Sequence, residues 1–267
     1  MDSRSLASRR KMLKMLGGFG GLTLMRCGPV ATSTPSGEVT SDGWATAGTS
    51  VLSGKDYGDP FAVGTGSTCS IYKSATEGPC HATSPLLTRK DVSEGYAGLP
   101  MRLELLFVNP SCAPVANATV EIWMCDTKGV YSGDIDGNND SFCTGGSAAA
   151  AAALWGRGIQ TTGSDGRVTF DANFPGWYSS RAMHIHFKVS VGSTAYLTSQ
   201  LFFDDAFKKA IYDSQPSYSP TSGSGYVTNT NDRVITEAGL SVSAAVCSTQ
   251  QQSDGALLAW KAITVNS

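Results

Sequence analysis

Two of the chain's three histidines, His184 and His186, are separated by a single residue inside the segment PGWYSSRAMHIHFKV, residues 175–189. The segment reads as a β-strand. Side chains alternate faces along a strand, so the two imidazoles project together while Ile185 points the other way. Paired imidazoles suit a metal ion. Most sites built on an H-x-H pair add a third histidine, and here the remaining one, His81, lies beside Pro79 and Cys80 in loop-like sequence. Further ligands must therefore come from Asp, Glu, Tyr or Cys. Taken alone, the pair fits equally well with two half-buried histidines satisfied by hydrogen bonds.

Two tyrosines alter that balance. Tyr178 follows Pro175-Gly176-Trp177, a turn that aims its side chain back toward the histidine strand. Tyr131 lies in DTKGVYSG, residues 126–133, just beyond a strand ending at Met124. A phenolate is a hard anionic oxygen donor that suits a ferric ion better than Zn²⁺ or Cu⁺. Binding would also lower the phenol pKa well below its free value near ~10. Each tyrosine alone is more simply a packing residue; with the histidines, and in this order, packing becomes the weaker explanation.

Such groups need a scaffold, and the composition points to strands. Only 16% of the 267 residues are charged, thirty are glycine, and long helical periodicity is absent. Residues 101–108 and 118–124 predict strands, the second with Ala118, Val120, Ile122 and Met124 on one face; residues 109–114 between them carry turn chemistry. Residues 166–170, 184–191 and 195–203 predict further strands, 204–212 a short helix, and the tail 233–265 strand-like stretches. Between Tyr131 and Leu154 a polar, then alanine-rich insertion predicts a surface loop ending in a short helical turn. Short strands separated by turn signals predict an all-β fold, a β-sandwich of mainly antiparallel strands whose long loops form the metal site. The length allows a substantial core in one domain with an N-terminal appendage. A net charge of −2 leaves no basic footprint for nucleic acid.

The appendage reads as an export signal over residues 1–27. Ser8-Arg9-Arg10-Lys11-Met12-Leu13-Lys14 follows the twin-arginine pattern, and a Gly-rich, weakly apolar run too short for a transmembrane helix comes after it. The competing reading is a basic tail on a cytosolic protein. Residues 28–60, rich in Gly, Ser, Thr and Pro, predict a flexible linker, leaving 61–267 as the β-sandwich domain that carries the site. Export places the protein in the periplasm or outside the cell, with membrane attachment only if Cys27 is lipidated; Arg26 before it is unfavourable for that. Beyond Cys27 stand Cys69, Cys80, Cys112, Cys125, Cys143 and Cys247, enough for up to three disulfides in an oxidising compartment. The sequence leaves the pairing open, with Cys69–Cys80 the most local candidate. CxxC spacing is absent, so a structural zinc site is not indicated.

From Cys69 onward the chain resembles the intradiol ring-cleavage dioxygenases, the family of catechol and protocatechuate dioxygenases. The resemblance is carried by Thr76-Glu77-Gly78-Pro79, Gly98-Leu99-Pro100, Ala118-Thr119-Val120-Glu121-Ile122-Trp123, Gly129-Val130-Tyr131-Ser132-Gly133 and Arg157-Gly158-Ile159-Gln160-Thr161-Thr162. It continues through Asp165-Gly166, Pro175-Gly176-Trp177-Tyr178, Arg181, His184-Ile185-His186 and Ser199-Gln200-Leu201-Phe202-Phe203. It implies a non-haem Fe(3+) site in which Tyr131, Tyr178, His184 and His186 are the metal ligands. Arg181 then matches the family's active-site arginine, and Gln200 a glutamine near the iron in some members. Tyr178 is also implied as a proton acceptor for the incoming substrate. The implied reaction cleaves a catechol-type ring with O₂ between its two hydroxylated carbons, giving a cis,cis-muconate. Arg181 would stabilise charge developing on the ring, or else form a structural ion pair that orients the Tyr178 turn. Departures from the family pattern are Cys80-His81 after the Glu-Gly-Pro turn, Met124, and the insertion after Tyr131. They bear on substrate choice more than on chemistry.

Two other readings compete with this one. The first is an exported β-sandwich binding module for aromatic or phenolic ligands that keeps the iron site without turnover; the second is a zinc hydrolase, disfavoured by the tyrosines. The sequence identifies neither the particular catechol nor the oligomeric state.

Overall fold

The computed structural model describes residues 39–62, 64, 69–82, 87–135 and 139–267. The expected export signal, with Cys27, lies outside the described residues. Eight strands form two four-stranded sheets. The first contains β1 (Pro100–Val108), β4 (Arg167–Asn173), β7 (Ser248–Gln251) and β8 (Leu257–Thr264) in the order β4-β1-β8-β7; the second contains β2 (Thr119–Trp123), β3 (Arg157–Thr161), β5 (His184–Val191) and β6 (Thr194–Phe202) in the order β3-β2-β5-β6. Every pairing is antiparallel except β1 with β8. This is the expected β-sandwich.

Strand alternation decides what lies between the sheets and what lies outside them. On β2, Val120 and Ile122 enter the main core; on β5, Ile185, Phe187 and Val189 do the same, opposite Leu103, Leu105 and Phe107 of β1. The other face of β2 and β5 carries Glu121, Trp123, His184, His186 and Lys188, with Trp123 opposite His186 and Glu121 opposite Lys188 in the register. That outer face would meet water on a bare sandwich. Here His184, His186 and Trp123 are buried because loops cover them. A smaller apolar cluster of Cys80, Ala82, Trp123, Cys125, Tyr131, Ile135 and Cys143 forms the cover, with Tyr178 packed against it.

Several expectations need correction. The described part of the 28–60 arm is no flexible linker: Trp44, Ala45, Thr49 and Leu52 are buried, and a 3₁₀ turn over Thr49–Leu52 docks on β1. Buried Arg102 fixes the arm by donating to the carbonyls of Leu52 (2.9 Å) and Lys55 (2.5 Å) while paired with Asp171. The tail carries the expected strand-like stretches, β7 and β8, and two helices besides. Helices α4 (Arg233–Glu237) and α5 (Val242–Ala245) precede β7 and β8; the Asp232 side chain caps the first by accepting from the N–H groups of Val234 and Ile235, whereas Ser241 before the second makes no side-chain cap. Strand β3 was not anticipated, since Arg157–Thr161 is polar and short. The predicted helix near 204–212 is α3 (Asp205–Ser214), capped by the Asp204 side chain, which accepts from the N–H of Phe207.

The insertion after Tyr131 forms two helices, α1 (Asp140–Cys143) and α2 (Ala148–Ala152). Its ends are tied together: Ser132 donates from its hydroxyl to the Trp155 carbonyl at 2.6 Å, and Gly133 donates its N–H to Ala150 at 2.9 Å. The disulfides are Cys69–Cys112 and Cys80–Cys143, not the local Cys69–Cys80 pair, and Cys125 and Cys247 are buried free thiols. Sequence proximity misled here because both bridges join loops that only the folded sheets bring together. Among the described residues no helix is long and apolar enough to cross a membrane.

Candidate metal centre

The site stands on the outer face of β2 and β5. His184 and His186 are both nearly fully buried, and their Nε2 atoms face each other at 3.0 Å. Nδ1 of His184 is engaged with the Ala182 carbonyl at 2.7 Å; it must donate there, which leaves the Nε2 lone pair directed into the site. His186 is held differently. Its ring lies parallel to the indole of Trp123, with centroids 4.7 Å apart and planes 6° apart. On its other side Gly78 approaches so closely that a Cβ there would come within 3.2 Å of Cε1.

The tyrosines arrive on two loops that touch through glycines. Asp126 organises the first, its Oδ1 accepting from the N–H groups of Lys128 (2.8 Å) and Val130 (2.9 Å). Its carbonyl accepts from Gly176 of the second loop at 2.8 Å. Gly129, at φ +86°, packs against the carbonyl of Trp177, where any side chain would collide. The Tyr131 and Tyr178 rings consequently meet edge to face at 5.8 Å. The Tyr178 hydroxyl lies 3.3 Å from Nε2 of His184. The Tyr131 hydroxyl is fully buried and makes no hydrogen bond of regular geometry, with only the Tyr178 phenol beside it.

Charge is expensive in this pocket. Burial holds the Tyr131 phenol well above its ordinary pKa and pushes Tyr178 up to about 12. Burial, reinforced for His186 by the neighbouring His184 and for His184 by Arg181, keeps both imidazoles well below theirs. The fold thus concentrates two unprotonated imidazole nitrogens and two phenol oxygens where protons are poor partners. Buried polar atoms are rarely left unpaired, and a small, highly charged cation is the partner this donor set fits. Oxygen–nitrogen donors with two phenols favour a hard ion such as Fe(III). Among the described residues no group of three or more His, Cys, Asp and Glu side chains forms an alternative metal site.

Arg181 and Gln200 lie in the same neighbourhood. Nε of Arg181 donates to the buried carboxylate of Asp232 at 3.0 Å, and Nη2 donates to Oε1 of Gln200 at 2.6 Å. Gln200, opposite His186 in the β5–β6 register, donates onward from Nε2 to the Thr76 carbonyl at 3.0 Å. All six residues singled out in the sequence therefore belong to one region. A family model described as Dioxygenase matches residues 74–249, which include all six. An intradiol ring-cleavage dioxygenase from Tetranychus urticae is similar in structure at 26% identity, with a TM-score of 0.64 over 74% of this chain and 95% of that one.

The chain belongs to the intradiol ring-cleavage dioxygenase family. A second relative of this fold is the dioxygenase domain of a dioxygenase carbohydrate-binding protein fusion from the cellulolytic bacterium Streptomyces sp. SirexAA-E. It is 20% identical, with a TM-score of 0.52 over 73% of this chain and 97% of that domain. Among curated proteins no sequence matches.

Some residues that shape the site escaped the sequence reading. Trp123 shares a face with Glu121 by strand alternation, so its position outside the core was readable; its stack on His186 was not. His81 is a loop residue as expected, and its Nε2 lies 2.7 Å from Glu121 Oε1, edge-on to Trp123 at 4.7 Å. Arg157 lies buried under the Tyr131 loop, donating to the carbonyls of Ser132 (2.8 Å from Nε) and Cys80 (2.6 Å from Nη2). Asp232 gave no local signal, because its partner Arg181 is 51 residues away.

Proposed function

We propose that this chain is a non-haem Fe(III) dioxygenase that cleaves a catechol-type ring with O₂ between its two hydroxylated carbons, giving a cis,cis-muconate-type product. The observation that carries the reading is the convergence of Tyr131, Tyr178, His184 and His186, with a buried Tyr131 hydroxyl that nothing else in the fold satisfies. Those four side chains would hold the ion. When bound, Fe(III) supplies Lewis acidity toward a bound catecholate.

The rest of the chemistry falls to residues whose positions are set by their neighbours. The Ala182 carbonyl fixes the tautomer of His184. Trp123 and Gly78 clamp the ring plane of His186. Tyr178 is the more open of the two phenols, and in its ionised form its Oη is the group placed to accept a hydroxyl proton from an entering catechol. Arg181 is held by Asp232 and Gln200, so its charge is available to developing negative charge on the ring without reorganising. Tyr131, Trp123 and Ile135 line the inner side and exclude water.

Export is part of the proposal. Two disulfides fit an oxidising compartment, and the twin-arginine pattern supplies a route for a protein exported folded with its metal.

Purified protein from iron-replete cells is expected to carry about one iron per chain and a red colour from tyrosinate-to-iron charge transfer. It should consume oxygen with one or more of catechol, hydroxyquinol and substituted catechols. Colourless, iron-free protein would overturn the reading. Iron with no uptake on any catechol would favour the ligand-binding module.

A further inference from the structure

Apart from Ile135, the insertion after Tyr131 has no part in the chemistry above, yet it is tied tightly to the site. Cys143, the last residue of α1, accepts the main-chain N–H of Tyr131 on its carbonyl at 2.7 Å, and its sulfur is bonded to Cys80 of the loop that covers His186. The residue before it is Phe142. It is the one phenylalanine among the described residues that stays exposed, at 57%, and its ring meets Tyr178 edge to face with centroids 5.7 Å apart at 90°. Phe142 is thus held by its neighbour's two attachments beside the more open of the two phenols. Leaving a phenyl ring in water forgoes about 1.5–3 kcal/mol of burial, which an apolar group entering beside Tyr178 would recover.

The charge around it narrows the choice. Residues 133–154 contain Asp134, Asp136 and Asp140 and no Lys, Arg or His. A ring substituent reaching Phe142 meets an exposed aromatic face on a segment that carries no cationic side chain, which favours a neutral apolar group and offers a carboxylate no partner.

We propose that Phe142 is a specificity-determining residue that selects catechols bearing an apolar substituent over carboxylated ones, with the Cys80–Cys143 bridge holding it in place. This rests on the reading of the site as a catechol-binding iron centre.

The test is an anaerobic titration of the iron-loaded protein with 4-tert-butylcatechol and with protocatechuate, followed through the tyrosinate-to-iron absorption band. It needs no turnover. The wild-type protein is expected to bind 4-tert-butylcatechol at least about tenfold more tightly, and Phe142→Ala to reduce that preference about tenfold. Phe142→Leu, which keeps an apolar side chain, should retain most of it. Iron content and circular dichroism should match wild type in both variants, since the ring is exposed and is not a ligand. An unchanged preference in Phe142→Ala, or wild-type protein that prefers protocatechuate, would overturn the proposal while leaving the iron centre standing. Protein that takes up no iron would sink the underlying reading first, and this proposal with it.

Discussion

The buried carboxylate of Asp232 grips the guanidinium of Arg181, Oδ2 accepting from Nε at 3.0 Å. The same carboxylate accepts from the N–H of Ala182 at 2.7 Å and caps α4 through the N–H groups of Val234 and Ile235. Ionised carboxylates survive burial only when saturated in this way. One side chain therefore joins the approach to β5 with a helix near the C-terminus, and aims the arginine at Gln200.

Asp232→Ala removes a helix cap and leaves Arg181 without its counter-charge. A loss of about 3–5 kcal/mol is expected in urea denaturation, the range for breaking a buried pair from one side. Arg181→Gln should behave differently, keeping its iron while oxygen uptake falls about a hundredfold, as for loss of one electrostatic stabiliser. If Arg181→Gln loses iron in proportion to activity, the arginine serves architecture alone.

Tyr131 offers a sharper separation of structure from function. Its hydroxyl is buried without a hydrogen bond of regular geometry, so Tyr131→Phe gives up no such bond and relieves a desolvated polar atom. After chelation, the iron-free variant should be as stable as the iron-free parent, or more stable by up to about 1–2 kcal/mol. In iron-replete growth it should nevertheless lose most of its bound metal and its charge-transfer colour. A variant that is less stable yet fully loaded with iron would show that Tyr131 is a packing residue.

What the sequence made legible followed from local periodicity. The alternation of Ala118, Val120, Ile122 and Met124 placed β2, and the same rule put His184 and His186 on one face. The structure places Tyr131 and Tyr178 beside those histidines. What could not be read depended on contacts distant in sequence. The Cys80–Cys143 bridge spans 63 residues and Arg181–Asp232 spans 51. Residues 39–60 look like linker by composition, but Trp44 and Leu52 bury themselves against the sandwich, and Arg102 secures the arm. The tail before β7 folds as α4 and α5, the first started by the Asp232 side chain, which caps it.

The Gly78 loop over His186 should respond to acid. Glu77 is held below its ordinary pKa of 4.5, chiefly by a 2.9 Å hydrogen bond from Lys188, and His81 lies between it and Glu121. Because the folded value is the lower one, this pair stabilises fully above 4.5 and the contribution disappears as pH falls through the folded value. Glu77 is only half-buried, so the effect is small, below about 1 kcal/mol, and weaker at high salt. Glu77→Gln should flatten the corresponding part of the stability–pH curve. Identical curves for the two proteins would rule out a contribution from this pair.

The two disulfides permit a controlled comparison. They are separated by 43 residues (Cys69–Cys112) and 63 residues (Cys80–Cys143), and loop-closure entropy assigns each about 4 kcal/mol. Paired serine variants should therefore lose similar stability in denaturant. Their effects on the site should diverge, since only Cys143 also carries the carbonyl that accepts from Tyr131 and sits next to Phe142. Cys80→Ser with Cys143→Ser is expected to weaken iron retention against a chelator and to shift the tyrosinate absorption band, whereas Cys69→Ser with Cys112→Ser should leave both as in wild type. Equal changes in the two variants would mean that the bridges act through global stability, and that Cys143 does not position Tyr131.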